Sequence, residues 1–211
     1  MTPARGSRNK LKALAFNCSL KGSADDENSS TQVLIEQLLD ALAQHGVAGE
    51  TVRAVDHDIK PGVRSDEGEG DAWPALRARV LAADILIIGS PIWLGQPSSV
   101  AKRVLERMDA FLSEKDEHQR MPSYGKVAIA AIVGNEDGAH HCAAEFLQAL
   151  SEVGFSIPAG GATYWVGEAM GSKEYKDFRK PPKAVAEWTP LLASNAAHLA
   201  RLLKSRAYPG R

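Results

Sequence analysis

Two uninterrupted apolar runs constrain the fold more than any other feature of this sequence. They are residues 84–89 (DILIIG) and 126–133 (KVAIAAIV), and neither alternates between polar and apolar side chains. A strand with one face in water alternates, whereas a continuous run indicates burial on both faces, as in a parallel sheet covered by helices. We therefore expect these runs to be the central strands of a parallel sheet.

Helical patterns separate these runs from the other candidate strands. In residues 30–45, Leu34, Leu38 and Leu42 recur every four residues and form an apolar stripe. Further strands are expected at residues 11–17 and 51–55, and a last one within residues 156–166. The resulting order of strand and helix predicts a doubly wound α/β fold with helices on both faces of the sheet. Five parallel strands favour the order 2-1-3-4-5 over that of a six-stranded dinucleotide-binding fold.

Length and composition indicate one ordinary globular domain. The chain has 211 residues, of which we assign 11–205 to the domain, 1–10 to a frayed N-terminus and 206–211 to a C-terminal tail. A formal net charge of −1 gives no basic surface for nucleic acid and argues against a strongly acidic electron carrier. No apolar run reaches the length of a membrane span. The two cysteines, Cys18 and Cys142, are expected to be reduced thiols of a cytoplasmic protein.

The loop after the first strand is rich in hydroxyl groups. Ser19, Ser29, Ser30 and Thr31 surround the start of the first helix. Together with the free N–H groups of that helix start, they form a site suited to phosphate. The alternative is purely structural, because Ser29 with Gln32 three residues later also resembles a capping box.

Two other phosphate chemistries do not fit this loop. A nucleotide-binding Gly-x-x-x-x-Gly-Lys-Ser/Thr loop is not present. A low-molecular-weight phosphatase would carry an arginine six residues after its nucleophilic cysteine, but the residue six after Cys18 is Ala24. Cys18 is therefore predicted to be a buried residue at the end of a strand.

The loop after the third strand is stiff and apolar. It contains Pro91, Ile92, Trp93, Leu94 and Gly95, and these side chains cannot all be buried in the sheet. Such a loop suits the edge of a planar aromatic ligand. The alternative is a hydrophobic loop that packs on its own helix.

The loop after the fourth strand completes the predicted site. It consists of Gly134, Asn135, Glu136, Asp137 and Gly138. Its two glycines would let the backbone approach a ligand closely, and Asp137 suits the N-cap of the following helix.

Two further clusters resemble metal sites, but neither is predicted to bind a metal. His140, His141 and Cys142 are adjacent, and adjacent residues of a helix diverge by roughly 100 degrees, so one ion cannot easily use all three. The acidic residues 64–71 (RSDEGEGD) match no calcium-loop spacing, and we interpret them as an exposed turn.

With these loops in place, the sequence resembles the family of NADPH-dependent FMN reductases and flavodoxin-like NAD(P)H:quinone reductases over about residues 12–165. Residues 90–99 (SPIWLGQPSS) resemble the family's loop that wraps the isoalloxazine ring, and residues 134–139 (GNEDGA) the loop on its other side. The resemblance implies a flavodoxin-like three-layer sandwich that holds FMN, with Lys21 as a further phosphate contact. The first loop departs from the family pattern, because Ser19-Leu-Lys stands where many reductases have Gly-Ser-x-Arg.

The resemblance also implies a reaction. NADPH or NADH would give hydride to flavin N5, and a small acceptor such as a quinone or free flavin would then collect the electrons, with no catalytic side chain. The implied assembly is a homodimer or homotetramer, in which Trp165 either covers the ring of a neighbouring subunit or belongs to the core. The alternative function is a flavodoxin-type one-electron carrier.

Overall fold

The protein is a three-layer α/β sandwich, described here from a computed structural model. The structure describes residues 10–25, 28–168 and 171–211, so all but Lys10 of the predicted N-terminal segment lies outside the described residues. The strands are β1 (Leu11–Asn17), β2 (Val47–Arg53), β3 (Ile85–Trp93), β4 (Gln96–Pro97), β5 (Val127–Gly134) and β6 (Ala162–Val166). The helices are α1 (Ser30–Ala43), α2 (Trp73–Ala82), α3 (Ser99–Arg107), α4 (Ala139–Glu152) and α5 (Lys183–Ser205).

Five strands of the sheet are parallel and lie in the order β2-β1-β3-β5-β6, as the sequence predicts. The sheet also has a sixth strand, which was not predicted. It is β4, whose two residues pair with β3 in the antiparallel direction. The chain can turn back there because Leu94 and Gly95 both adopt positive φ values of 54° and 75°. The loop that was predicted after the third strand is therefore largely a short hairpin of β3 and β4.

Apolar side chains cover the sheet on both faces. On one face, α1 and α5 pack through residues such as Leu38 and Leu192. On the other face, α2, α3 and α4 pack through residues such as Val104 and Phe146. All residues of β5 from Val127 to Val133 are buried, which explains the uninterrupted apolar run in the sequence.

One predicted element boundary is corrected by the structure, and the last helix contains a proline. The second strand begins at Val47 rather than Thr51, because only Val47 and Val52 of this edge strand are buried and the apolar signal is weak. The last helix begins at Lys183 and continues through Pro190. Beyond it, the hydroxyls of Tyr208 and Ser156 lie 2.9 Å apart.

A buried ion pair fastens the acidic loop to the sandwich. Arg107 Nη2 lies 2.7 Å from Asp71 Oδ2, and neither side chain is exposed to solvent. Arg107 also donates to the carbonyl oxygens of Lys60 and Arg64, and its guanidinium lies over the ring of Trp73. Most of the loop is the exposed turn that we expected, but the carboxylate of its last residue, Asp71, is buried and binds Arg107.

The same pair determines how Asp71 titrates. Burial alone would raise the pKa of Asp71, but the Arg107 guanidinium and the backbone N–H groups of Glu67, Trp73 and Lys60 lower this pKa to about 2. Because the folded pKa lies below the usual aspartate value of about 3.9, this carboxylate stabilises the fold fully above about pH 4. That contribution is lost as the pH falls towards 2.

Removal of the Asp71 charge should destabilise the fold strongly. Asp71→Asn leaves a buried guanidinium without its counter-charge, so we expect the free energy of unfolding to fall by about 3–5 kcal/mol. Urea denaturation followed by circular dichroism measures this change. As a control, Glu50→Gln breaks the exposed Arg79–Glu50 pair and should cost less than about 1 kcal/mol. Equal losses in the two variants would contradict this role of the ion pair.

The acid sensitivity of the fold should also depend on Asp71. Between about pH 4 and pH 2, wild type should lose more stability than Asp71→Asn, because the variant no longer has the carboxylate that gains a proton. Urea midpoints at several pH values in this range test the difference. The other carboxylates titrate in both proteins, so parallel curves would show that Asp71 does not contribute.

Candidate functional site

A cleft opens at the carboxyl ends of the parallel strands, where ligands bind in open α/β sheets. Many of the predicted site residues line it: Ser19, Lys21, Ser29, Ser30, Thr31, Pro91, Ile92, Trp93, Gly134 and Asn135. The lining also includes residues that the sequence analysis did not assign to the site: Leu20, Val133, Trp165, Glu174 and Tyr175. The remaining predicted residues lie outside this lining: Leu94, Gly95, Glu136, Asp137 and Gly138.

One end of the cleft is formed by the N-terminus of α1. Ser29 is its N-cap and accepts a hydrogen bond from the backbone N–H of Gln32 at 3.3 Å. The reciprocal half of a capping box is replaced, because Gln32 Oε1 accepts from Asn17 Nδ2 at 2.9 Å. The serine therefore caps the helix by using the N–H of Gln32, and the start of a helix such as α1 is a favourable position for an anion.

Thr31 provides an unsatisfied polar atom at the same end. Its side chain is buried, and among the described residues its Oγ1 has no hydrogen-bond partner. A buried hydroxyl without a partner costs free energy, so native structures rarely retain one without a reason. A ligand oxygen at the start of α1 would satisfy this hydroxyl.

The first loop is fastened to the neighbouring strand. Arg53 Nη1 donates to the carbonyl oxygens of Lys21 and Gly22, at 3.1 Å each. Ser23 donates to the carboxylate of Asp56 through both its N–H and its hydroxyl, and the Ser23 hydroxyl lowers the pKa of Asp56. The hydroxyl of Ser19 is engaged with the carbonyl oxygen of Lys21 at 3.2 Å. These bonds hold the loop in place at the mouth of the cleft.

The hairpin of β3 and β4 forms the apolar wall of the cleft. Pro91, Ile92 and Trp93 line the wall, and the side chain of Trp93 is 51% exposed. Ser98 fixes the base of the hairpin, because its hydroxyl donates to the Cys18 carbonyl oxygen at 2.6 Å. Two strand-end loops are thereby joined directly.

The loop at the end of β5, residues 134–138, supports the tip of this hairpin. The backbone N–H of Leu94 donates to Glu136 Oε1 at 2.9 Å. A Cβ on Gly138 would lie 2.7 Å from the backbone of Gly95, and Gly138 has a φ of 121°, so only glycine fits there. Gly134 is needed for a similar reason, because a Cβ there would lie 2.8 Å from that of Ile92. Both glycines allow loops to pack closely against each other.

The segment between β6 and α5 closes the cleft on the remaining side. We call residues 171–178 the strap. The ring centroids of Tyr175, in the strap, and Trp165 lie 5.5 Å apart. The Tyr175 hydroxyl donates to Gln37 Oε1 at 2.5 Å. Burial raises the pKa of the Tyr175 hydroxyl to about 12, so it stays protonated. Trp165 thus faces the cleft of its own chain.

The other reactive side chains are inert or lie outside the cleft lining. Cys18 is completely buried, and burial raises the pKa of its thiol. His140 Nε2 lies 2.8 Å from the Tyr164 hydroxyl, while His141 lies beside Gln96 and Glu145. Within the described ranges, no three His, Cys, Asp or Glu side chains are grouped closely enough to bind a metal ion. No helix in the same ranges is long and apolar enough to cross a membrane.

A larger cavity lies at the opposite edge of the sheet. It has a volume of about 930 Å³, and Lys115, Tyr124 and Tyr208 contribute to its lining. In a parallel sheet the helices begin at the carboxyl ends of the strands, and the described residues that line this second cavity include no first turn of a helix. The described lining of this cavity therefore differs from that of the strand-end cleft, which includes the first residues of α1.

Comparison with known proteins identifies the family of the chain and agrees with this fold. The sequence model of the NADPH-dependent FMN reductase family matches residues 11–170. The chain therefore belongs to the NADPH-dependent FMN reductase family, a family of flavin-dependent oxidoreductases.

Two curated relatives match nearly the whole chain. One is the 8-demethyl-8-aminoriboflavin-5'-phosphate synthase of Streptomyces davaonensis, 33% identical over 94% of this chain and 80% of that protein. The other is the divalent metal cation transporter MntH of Mycobacterium bovis, 41% identical over 93% of this chain. The chain spans only 30% of the length of that transporter.

Solved structures show the same architecture. The crystal structure of RosB with the bound intermediate 8-demethyl-8-formylriboflavin-5'-phosphate superposes with a TM-score of 0.85. It is 33% identical, and the alignment covers 94% of this chain and 82% of that one. The apo form of the NADH:FMN oxidoreductase EMOB is 19% identical with a TM-score of 0.63, covering 93% of this chain and 91% of that one, and supports the fold alone.

A substitution that removes the unpartnered hydroxyl of Thr31 should weaken ligand binding without lowering stability. Thr31→Val keeps the shape of the side chain and removes an unsatisfied polar group, so the fold should be unchanged or stabilised by up to about 1 kcal/mol. If a ligand phosphate bonds this hydroxyl, the dissociation constant of FMN should rise about tenfold or more. Flavin fluorescence titration and urea denaturation measure the two effects.

A control threonine should show the opposite pattern. Thr189 is buried and its hydroxyl lies 2.8 Å from that of Thr163, and neither residue belongs to the described lining of the cleft. Thr189→Val should lower stability by about 1–3 kcal/mol and leave FMN affinity unchanged. Unaltered FMN binding by Thr31→Val would exclude the phosphate contact.

Proposed function

We propose that this chain binds FMN non-covalently in the strand-end cleft and acts as an NAD(P)H-dependent oxidoreductase. In this proposal NADPH or NADH is the electron donor, and a small molecule such as a quinone or free flavin is the acceptor. The observation that carries the proposal is the division of the cleft into a polar end and an apolar wall. The family to which the chain belongs makes FMN the ligand of choice.

The polar end fits a phosphate group. Hydroxyls of Ser30 and Thr31 and the N–H groups of the first turn of α1 meet there, and helix N-termini favour negative charge. Lys21 lies in the same lining and adds a positive charge. The unpartnered Thr31 hydroxyl is the specific observation that favours a ligand oxygen at this point.

The apolar wall fits the flavin ring. Pro91, Ile92 and Trp93 form a surface that hydrogen bonds with the neighbouring loops hold in place, and Trp165 stands on the strap side of the cleft. Such apolar and aromatic linings with a few polar groups are typical of cofactor sites. Asn135 and Gly134 also line the cleft and would be the polar residues nearest the ring edge in this proposal.

The bound flavin would supply the redox chemistry, taking hydride from the nicotinamide at N5 and giving electrons to the acceptor. The residues of the cleft would position the ring, exclude water from one side of it and neutralise the phosphate. Lys21, Glu174 and Tyr175 are the titratable residues of the described lining, and none is required as an acid or base. We therefore assign no catalytic side chain.

A flavodoxin-type one-electron carrier remains the alternative. A carrier of that kind steers protein partners by a strongly charged surface, and the net charge here is only −1. We also retain the expectation of a cytoplasmic homodimer or homotetramer. Two observations support it: both cysteines are free and buried, and Leu94 is 90% exposed at the tip of the hairpin beside the cleft.

A second candidate function treats the flavin as substrate. It is favoured by the 33% identity to 8-demethyl-8-aminoriboflavin-5'-phosphate synthase and by the close superposition on RosB with a flavin intermediate bound. In this case the same cleft would hold a flavin phosphate whose ring is altered during turnover.

One experiment tests these functions together. Purified protein is incubated with FMN, desalted, reduced anaerobically with NADPH and then mixed with benzoquinone, with absorbance near about 450 nm as the readout. We expect retained absorbance that bleaches with NADPH and returns with benzoquinone. Retained absorbance that NADPH does not bleach would favour the electron carrier, and a protein that retains no flavin would overturn the proposal. The flavin is recovered after turnover, and its mass should be that of FMN; an altered mass would favour the flavin-modifying function.

A further inference from the structure

The proposed phosphate end of the cleft already holds an anion of the chain itself. The carboxylate of Glu174, in the strap, belongs to the lining, and its Oε2 lies 3.4 Å from the hydroxyl oxygen of Ser30. Ser30 is the first residue of α1, so the carboxylate stands beside the helix N-terminus. This is the position that a ligand phosphate would favour for the same electrostatic reason.

The carboxylate is held there by contacts within the strap. Its side chain accepts a hydrogen bond from the N–H of Asp177, and Asp177 Oδ2 in turn accepts from the N–H of Glu174 at 2.8 Å. Lys176 Nζ lies 3.2 Å from Glu174 Oε2, and the Lys176 N–H donates to the Ser30 hydroxyl at 3.2 Å. The strap therefore uses a hydroxyl that the phosphate site also needs.

A phosphate at this end would compete with Glu174. The phosphate and the Glu174 carboxylate are both anions, and like charges a few ångströms apart repel each other. One of the two must therefore move away for the other to occupy this position. The Glu174 side chain is 42% exposed, and its contact with Ser30 is long, so displacement into solvent is feasible. The unpartnered Thr31 hydroxyl lies in the same lining and marks this end independently as incomplete without a ligand oxygen.

We infer that Glu174 is an internal competitor of the ligand phosphate and reduces the preference of the site for FMN over riboflavin, the same flavin without its phosphate. The inference rests on the proposed flavin binding and makes Glu174 a specificity-determining residue of that site. It predicts that the charge of Glu174, rather than its shape, weakens phosphate binding. The ring end of the cleft should not be affected by this charge.

The test compares two flavins in two variants. Glu174→Gln keeps the size and the hydrogen-bond acceptor of the side chain and removes its charge. Dissociation constants of FMN and riboflavin are measured by flavin fluorescence quenching at low ionic strength, where charge effects are largest. We expect FMN to bind about tenfold more tightly to Glu174→Gln, with riboflavin affinity changed less than about twofold.

The matched control is Asp177→Asn. It removes the same unit charge from the same turn, but Asp177 lies outside the lining of the cleft. It should leave the ratio of the two affinities unchanged. Equal changes in FMN and riboflavin affinity, or an unchanged or weaker affinity of Glu174→Gln for FMN, would overturn the inference. The same shift of the ratio in Asp177→Asn would also overturn it.

Failure of the proposed function gives a different result. If neither wild type nor Glu174→Gln binds either flavin, flavin binding itself is wrong. Competition at the helix N-terminus is then measured with inorganic phosphate alone by isothermal titration calorimetry. Tighter phosphate binding by Glu174→Gln than by wild type and Asp177→Asn supports the competing anion, and indistinguishable binding refutes it.

Discussion

Burial of the sheet on both faces is the constraint from which the rest of the structure follows. The central strands β3 and β5 have helices above and below, so their side chains offer no place for a polar ligand. Polar groups that line a ligand cleft therefore lie at the ends of the strands rather than on the faces of the sheet. The carboxyl-end cleft includes the first residues of α1, and the N–H groups at the start of a helix provide a positive potential. The cleft is a consequence of the layer architecture before any particular side chain is considered.

The second organising feature is the contact between loops that come from different strands. The hairpin of β3 and β4 is held by Ser98 on one side and by Glu136 on the other, and Gly138 leaves room for its tip. The wall that would meet a flavin ring is thereby fixed in advance. A ligand that finds its site already ordered loses less conformational entropy on binding. Residues that never touch the ligand can therefore still determine its affinity.

The sequence predicted the parallel strand order and the hydroxyl-rich helix start well, because both leave local signals. The apolar runs of β3 and β5 reflect two-sided burial, and Ser29 stands immediately before the periodic pattern of α1. It predicted the strap poorly, because the contribution of Glu174 depends on a contact with Ser30 across 144 positions of sequence. The strand β4 was not predicted for a different reason, because two residues are too few to show the alternation of side chains that identifies a strand. Glu136 was correctly placed in a strand-end loop, yet only the structure reveals that its carboxylate accepts from Leu94.

The strap differs from the other walls of the cleft in how it is held. The hairpin is continuous with a central strand, whereas the strap is connected to the sandwich by aromatic contacts, Tyr175 and a few polar bonds. Segments with few buried contacts open at a lower free energy than the core of the same protein. In hydrogen exchange, amides of the strap should therefore exchange through local opening, while those of β3 and β5 require global unfolding. A ligand could then enter and leave by the strap side at a rate set by this local equilibrium, with the sheet undisturbed.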